Sequence, residues 1–311
     1  MKIFESLDIR DKFANPVLTI GNYDGIHIGH RRIIELVGKK AAEMNGTSML
    51  MTFHPHPLQM LQPDQELPSI TPLSKKIALI EETGIDVLII VPFTQEFGLV
   101  EADEFIKGIL VDHLKIKGLV IGYDFRFGRG GKGDTSLLKE FGSKYGFTVD
   151  VVEQITIDRE KVGSNKIRIL VRNGDVAGAG HLLGRPYSLG GQVVSGMSRG
   201  REIGFPTVNL RTDHSLVPGN GVYVTQLEHD NEKYGSVTNI GYNPTFGSAE
   251  RTIETFILDF QGSLYGCNIT LHFLKRIRDE VKFGSVQELV KRITADVDEA
   301  KAYFQTRDKG R

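Results

Sequence analysis

The 311-residue sequence holds a single cysteine, Cys267, so no disulfide can close within the chain. Long apolar runs are missing too: the longest aliphatic stretch, residues 87–91, falls far short of the roughly 20 residues that a membrane-spanning helix needs. The opening, MKIFESLDIRDK, is charged where a secretory leader would be apolar. Neither sign of charge is in surplus, with 38 Lys+Arg against 39 Asp+Glu. That balance argues against a dedicated nucleic-acid binder, whose footprint is a strong basic excess, while leaving local basic clusters for small anions. No internal repeat or low-complexity tract is visible. Together these absences predict a cytosolic chain from a reducing compartment, with neither a membrane nor a nucleic acid as partner.

What is present is an ordinary globular composition, 40% hydrophobic and 25% charged, in a chain about twice the roughly 150-residue length of a typical domain. Two domains are expected. Strand-like apolar runs at 17–20, 48–53, 86–91, 118–121 and 148–152 alternate with helical patterns at 29–44, 72–84, 102–113 and 135–145. Such alternation predicts an α/β doubly wound parallel sheet whose ligands sit at the carboxyl ends of the strands. The segment 167–183 reads as two short helices. Beyond Gly184 the rhythm changes to short β-rich runs at 188–194, 221–227, 233–240, 252–260 and 268–273, then one long helical pattern from 286 to about 304. These predict a small antiparallel barrel closed by a C-terminal helix, with domains at 1–184 and 185–311.

The most informative stretch of the first domain is GNYDGIHIGH, residues 21–30, between the first strand and the first helix. Gly21 and Gly25 permit tight turns close to a ligand, and free amides at a helix start attract phosphate. His27 and His30, three apart, can face one ligand and stabilise charge building on a nucleotide phosphate. A metal pair is disfavoured, because no Cys or acidic residue completes a tetrahedral set nearby. TFHPHP, residues 52–57, fixes a rigid loop past the second strand; for His54 and His56, loop packing and a ligand role stay equally open. In GYDFRFGRGGKGD, residues 122–134, a dinucleotide fingerprint is rejected because the glycines begin several residues past the strand. Phe125 and Phe127 instead offer surface to a flat ring, with Arg126, Arg129 and Lys132 near phosphates. VGSNKIR, residues 162–168, opens a helix with Ser164 or Asn165 as cap.

In the second domain GQVVSGMSRGREIGFPTVN, residues 191–209, places Gly196, Gly200 and Gly204 where a loop can fold over phosphates, and Arg199 adds charge. Thr207 and Asn209, two apart on one face, are hard oxygen donors suited to Mg²⁺ shared with a nucleotide. Glu254, in an apolar run, is either a solvent-facing strand residue or a carboxylate placed as a base.

These motifs, in this order, resemble the bifunctional riboflavin kinase/FAD synthetases. The H-x-G-H element of the adenylyltransferase module is matched by His27, Gly29 and His30, with Asn22 and Asp24 in the preceding turn. T-F-x-P-H-P is matched at 52–57 and G-x-D-F-x-F-G at 122–128, which includes Asp124. The kinase signature G-F-P-T-x-N falls at 204–209, N-I-G-x-x-P-T-F-G at 239–247, and E-x-x-x-L-D-F at 254–260. The resemblance implies a nucleotidyltransferase domain and a six-stranded kinase barrel, one strand more than the pattern resolves. It further implies riboflavin, FMN and ATP as substrates, Mg²⁺ at Thr207 and Asn209, Glu254 as general base, and His27, His30 and Arg168 at the adenylyl transfer. One departure stands out: where such modules carry I-S-S-T-x-I-R, this chain has VGSNKIR and keeps one hydroxyl, Ser164. This departure motivates one alternative, a monofunctional kinase with a binding-only or regulatory first domain; a non-catalytic flavin sensor that keeps the fold is a second, of a different class.

Overall fold

The structure, a computed structural model, describes residues 1–196, 200, 203–243 and 250–308. The chain packs as two compact units, Met1–Ser164 and Asn165–Arg311.

The first unit is built on a six-stranded, all-parallel sheet. Its strands are β1 (Lys2–Phe4), β2 (Val17–Ile20), β3 (Ser48–His54), β4 (Val87–Pro92), β5 (Gly118–Gly122) and β6 (Thr148–Val152), in the order β1-β4-β3-β2-β5-β6. The central strands are apolar nearly throughout because both faces are covered. Alternation divides their side chains. Leu18, Ile20, Met49, Met51, Ile89 and Leu119 enter one core with Phe105 and Leu110, whereas Val17, Leu50, Leu88 and Val120 enter the other. That second face is covered by α1 (Ile28–Glu43) and α3 (Leu73–Glu81), beyond the short α2 (Pro57–Leu61). The first is covered from beyond α4 (Gln95–Gly98): α5 (Ala102–Glu104) runs into a π-helical stretch, Phe105–His113, and α6 (Thr135–Tyr145) follows β5. A two-stranded hairpin, β7 (Thr156–Ile157) with β8 (Glu160–Lys161), lies apart from the sheet.

Successive strands β2, β3 and β4 step one way across the sheet, while β5 lies on the other side of β2. The order therefore reverses between β2 and β5, the position where open parallel sheets bind ligands. The loops leaving these two strands are Gly21–Asn22 onward and Tyr123 onward, the two segments that the sequence singles out.

The second unit begins one residue into α7 (Ser164–Arg172), adds α8 (Val176–Leu183) and continues into a closed antiparallel barrel. Its strands are β9 (Tyr187–Val194), β10 (Thr207–Arg211), β11 (Gly221–His229), β12 (Glu232–Asn243), β13 (Glu250–Ile257) and β14 (Asn268–Arg278), ordered β10-β13-β12-β11-β14-β9. The compact division falls before the expected Gly184 boundary because the two short helices pack on the barrel. Gly219 N bonds the Val171 carbonyl at 3.0 Å, and buried Leu182 and Leu183 end α8 next to β9.

The barrel interior is unusual in carrying a chain of buried hydroxyls. Thr225 Oγ1 lies 2.8 Å from Ser236 Oγ and 2.7 Å from Thr238 Oγ1, which lies 2.9 Å from Thr255 Oγ1. On the opposite, outward face Val222, Val224 and Val237 pack against Val297 and Ala300 of the closing helix α9 (Val286–Asp308). Buried Asp296 of α9 accepts from Arg278 Nη2 at 2.7 Å and from Arg278 Nε at 3.0 Å, with Arg292 Nε at 3.1 Å.

Candidate active sites

In the first unit the turn leaving β2 is held in an uncommon conformation. Tyr23 (φ 48°), Gly25 (φ 93°) and Ile26 (φ 40°) are all left-handed, and for a β-branched residue such as Ile26 that is a genuine strain. Tertiary bonds impose it. The buried Asp24 carboxylate accepts the amides of Ile70 at 3.0 Å and Thr71 at 3.2 Å, and Gly25 N donates to Thr71 Oγ1 at 3.2 Å. The Asn22 carbonyl takes both Thr52 Oγ1 at 3.0 Å and Lys76 Nζ at 2.9 Å. Ser164 Oγ donates to the Asp24 carbonyl at 2.9 Å. The turn delivers His27 as the N-cap of α1, its Nδ1 accepting from His30 N at 3.1 Å. That bond assigns the imidazole proton to Nε2. The His27 and His30 rings stack at 3.5 Å, 17° apart, and Tyr23 lies 4.9 Å from His30. Gly29 leaves room for the stack, since a Cβ there would stand 3.2 Å from the His27 ring.

His54 and His56 have different fates. His56 caps α2, its Nδ1 accepting from Leu58 N at 3.2 Å, and Gln59 reaches back to the His56 amide at 3.3 Å. It is a helix cap. Burial and the neighbouring Lys76 hold the His54 imidazole below its ordinary range. The loop after β5 is fastened: Arg129 N bonds the Val100 carbonyl at 2.8 Å, and Gly128 crosses α5 so closely that a Cβ would stand 2.7 Å from Ala102 Cα. Arg129 pairs with Glu101 and Arg126 with Asp134, both at 3.4 Å. Of the two expected ring-facing aromatics, Phe127 is buried against Phe105 at 5.5 Å; Phe125, half-buried, stacks on it at 5.6 Å and 16°, with Asp124 exposed beside it. Asn165 and Arg168 open the second unit, where Arg168, buried, donates to Asn165 Oδ1 at 2.8 Å.

In the barrel, register builds the second constellation. Asn209 of β10 stands directly opposite Glu254 of β13, which stands opposite Asn239 of β12, and Thr207 is opposite Phe256. Directly paired residues share a face, so Thr207, Asn209, Asn239 and Glu254 all lie on the outward face. Among the described residues after β9, Gly196 and Gly200 come close to two of them, Asn209 and Thr207. A Cβ on Gly196 would fall 2.1 Å from Asn209 Nδ2, and one on Gly200 would fall 2.3 Å from the Phe205 carbonyl and 3.4 Å from Thr207 Oγ1. Phe205 N closes that turn onto the Gly200 carbonyl at 2.8 Å, and Gly204 is left-handed at φ 88°. Arg199 and residues 244–249 lie outside the described residues.

The family described as FAD synthetase matches residues 10–166, and the family described as riboflavin kinase matches residues 183–304. The bifunctional riboflavin kinase/FMN adenylyltransferase of Bacillus subtilis (strain 168) is 39% identical over 302 residues, 95% of each chain. The chain belongs to this bifunctional family. The Escherichia coli (strain K12) enzyme of the same name is 36% identical over 93% of this chain and 92% of its own. A crystal structure described as a macrolide-efflux protein from Streptococcus pneumoniae matches 96% of this chain and 98% of its own, at a TM-score of 0.87 and 31% identity. Among the described residues no helix is long and apolar enough to cross a membrane.

In the sequence Asn239 stands out only as the start of a motif, with no role of its own, and Lys76 is not singled out. Asn239 was hidden because its partnership with Glu254 is a matter of register. Lys76 carried a signal that could have been used, a charge three and four residues before buried Leu79 and Ile80 and therefore on the apolar stripe of α3.

Proposed function

We propose that the two sites run consecutive reactions: the barrel unit transfers the γ-phosphoryl group of ATP to riboflavin, and the parallel-sheet unit joins the FMN to AMP with release of pyrophosphate. The observation that carries this reading is the presence of both constellations on one chain. A stacked histidine pair stands at the helix start of the switch point, and on the barrel Asn209 stands in register with the Glu254 carboxylate, with Thr207 two residues away on the same face.

In the kinase step Glu254 takes the proton from the terminal ribityl hydroxyl as that oxygen bonds to the γ-phosphorus and ADP leaves. The Thr207 hydroxyl and Asn209 amide oxygen suit Mg²⁺ in a phosphate-shared site, and the close backbone at Gly196 and Gly200 forms a cradle that a side chain would fill. Bound there, Mg²⁺ supplies neutralising charge at the phosphate oxygens. In the adenylyl step an FMN phosphate oxygen bonds to the α-phosphorus of ATP and the bond to the bridging oxygen breaks, so no protein nucleophile is needed. His27, with its proton on Nε2, donates to the α-phosphate oxygens where charge gathers, with His30 stacked beside it. The backbone of Gly21, Asn22, Gly25 and Gly29 shapes the segment that faces the phosphates, the Gly21 and Gly25 amides being held by the Met51 carbonyl and Thr71 Oγ1; Ser164 holds the turn, and Arg168, aimed by Asn165, adds a guanidinium. Asp124 and Phe125 receive the flavin ring, with Phe127 as the packed support behind. The single Cys267 suits a reducing cytosolic setting.

The test is a time course with riboflavin and Mg-ATP, separating riboflavin, FMN and FAD by chromatography, beside a reaction started from FMN. FMN followed by FAD, with pyrophosphate, is expected. FMN accumulating without FAD in both reactions would leave the first unit as a binding module, and Glu254→Gln that still makes FMN would remove the base from Glu254.

A further inference from the structure

Lys76 lies one turn inside α3 and is only 7% exposed. Burying an ammonium is costly unless it is paired and hydrogen-bonded. Among the described residues its one hydrogen bond runs to the Asn22 carbonyl, the oxygen that also takes the Thr52 hydroxyl. Burial pulls the ammonium below the usual lysine range, and the field of Asp24 acts the other way and favours the charged form. Burial and Lys76 itself hold the neighbouring His54 imidazole below its ordinary range. The Lys76 ammonium sits behind a turn in which Tyr23, Gly25 and Ile26 are left-handed and which ends on the His27 cap.

We propose that Lys76 is a positioning residue of the adenylyl-transfer site: by holding the Asn22 carbonyl it keeps the Gly21–His30 segment shaped for the ATP phosphates, and its buried charge favours their binding there. This rests on the adenylyl-transfer reading of that site. A charge in a poorly screened interior acts on a nearby anion without touching it, so its removal weakens nucleotide binding in one unit only.

The experiment uses the full chain as wild type, Lys76→Met and Lys76→Gln, the second neutral yet still able to donate to Asn22. The KM for ATP is measured for FAD formation from FMN and, in the same preparations, for FMN formation from riboflavin. The KM for ATP in FAD formation rises about tenfold or more in both variants, while the kinase KM stays put. Partial unfolding lowers kcat and leaves KM alone, so a KM within about twofold of wild type in Lys76→Met overturns the proposal. It is equally overturned if both variants keep the kinase but lose the folded first unit by circular dichroism, which would make Lys76 a structural ion. A wild-type chain that makes no FAD removes the adenylyl-transfer reading and this proposal together, an outcome visible before any variant is made.

Discussion

Replacing Gly196 by alanine tests the barrel site through a single methyl group. Its Cβ would stand 2.1 Å from Asn209 Nδ2, against 3.4 Å for ordinary contact, so the amide must retreat by 1.3 Å (3.4 − 2.1). An amide at the end of a side chain can do that by leaving its rotamer, which costs about 0.5–1.5 kcal/mol. Folding therefore changes little. The chemistry changes more, because a displacement of about 1 Å in a positioned group costs on the order of 10²-fold in rate, or about 2.7 kcal/mol in the barrier. FMN formation from riboflavin should fall by about that factor, and FAD formation from supplied FMN should not. If the methyl acts by displacing Asn209, Gly196→Ala combined with Asn209→Ala is no worse than Asn209→Ala alone, since both remove one interaction. Kinase activity within about threefold of wild type, or losses that multiply in the double variant, would refute the reasoning.

His27→Ala should lower FAD formation by about 10²–10³ while FMN formation persists, measured in the two parallel reactions. Glu254→Gln should do the reverse, lowering the kinase step by about 10²–10⁴ with FAD formation from FMN intact. Asp296→Ala leaves the Arg278 guanidinium, 14% exposed, without its carboxylate; the barrel unit should lose about 3 kcal/mol, read as a lower denaturant midpoint at unchanged slope. His214 Nε2 accepts from Gly190 N at 3.1 Å, and burial holds the imidazole below its ordinary range. The unfolded chain thus takes up a proton that the folded chain refuses, so barrel stability should fall as pH drops through about 6.5, and His214→Gln should flatten that slope in melts across the range.

The parallel sheet was legible because its central strands are buried on both faces and separated by amphipathic helices. The helix Thr135–Tyr145 and strand Thr148–Val152 fall where periodicity placed them. Edge strand Lys2–Phe4 was not legible: two exposed residues and one half-buried, within a charged opening, carry no periodic signal. In the barrel, Thr207–Arg211 was read as a motif and not as a strand, since its residues Thr-Val-Asn-Leu-Arg follow a Gly-Phe-Pro turn and four of the five stay partly exposed. The β12 and β14 strands run past their expected ends, to Asn243 and Arg278, where polar residues still pair along a barrel wall. Helix 102–113 was placed correctly, but no sequence rule foretold its wide, π-type winding. Among site residues, spacing exposed those that sit in one loop, such as His27 and His30. It put Thr207 and Asn209 on one face but could not reveal that Glu254 shares it, because that depends on which strands become neighbours.

The chain of hydroxyls inside the barrel bears on what lies outside it. Thr238 and Thr255 face each other in the same β12–β13 register that sets Asn239 opposite Glu254 one residue away. A slip of one residue would carry these hydroxyls to the outer wall and turn Glu254 inward. The Thr238–Thr255 contact is thus a vernier: it indexes one strand against the next, and the Glu254 carboxylate, the proposed base, inherits its alignment from a bond buried inside the barrel. Substitutions in this hidden row therefore bear on the alignment of Glu254 as well as on stability, and a screen confined to residues near the substrates would pass over the position that calibrates them.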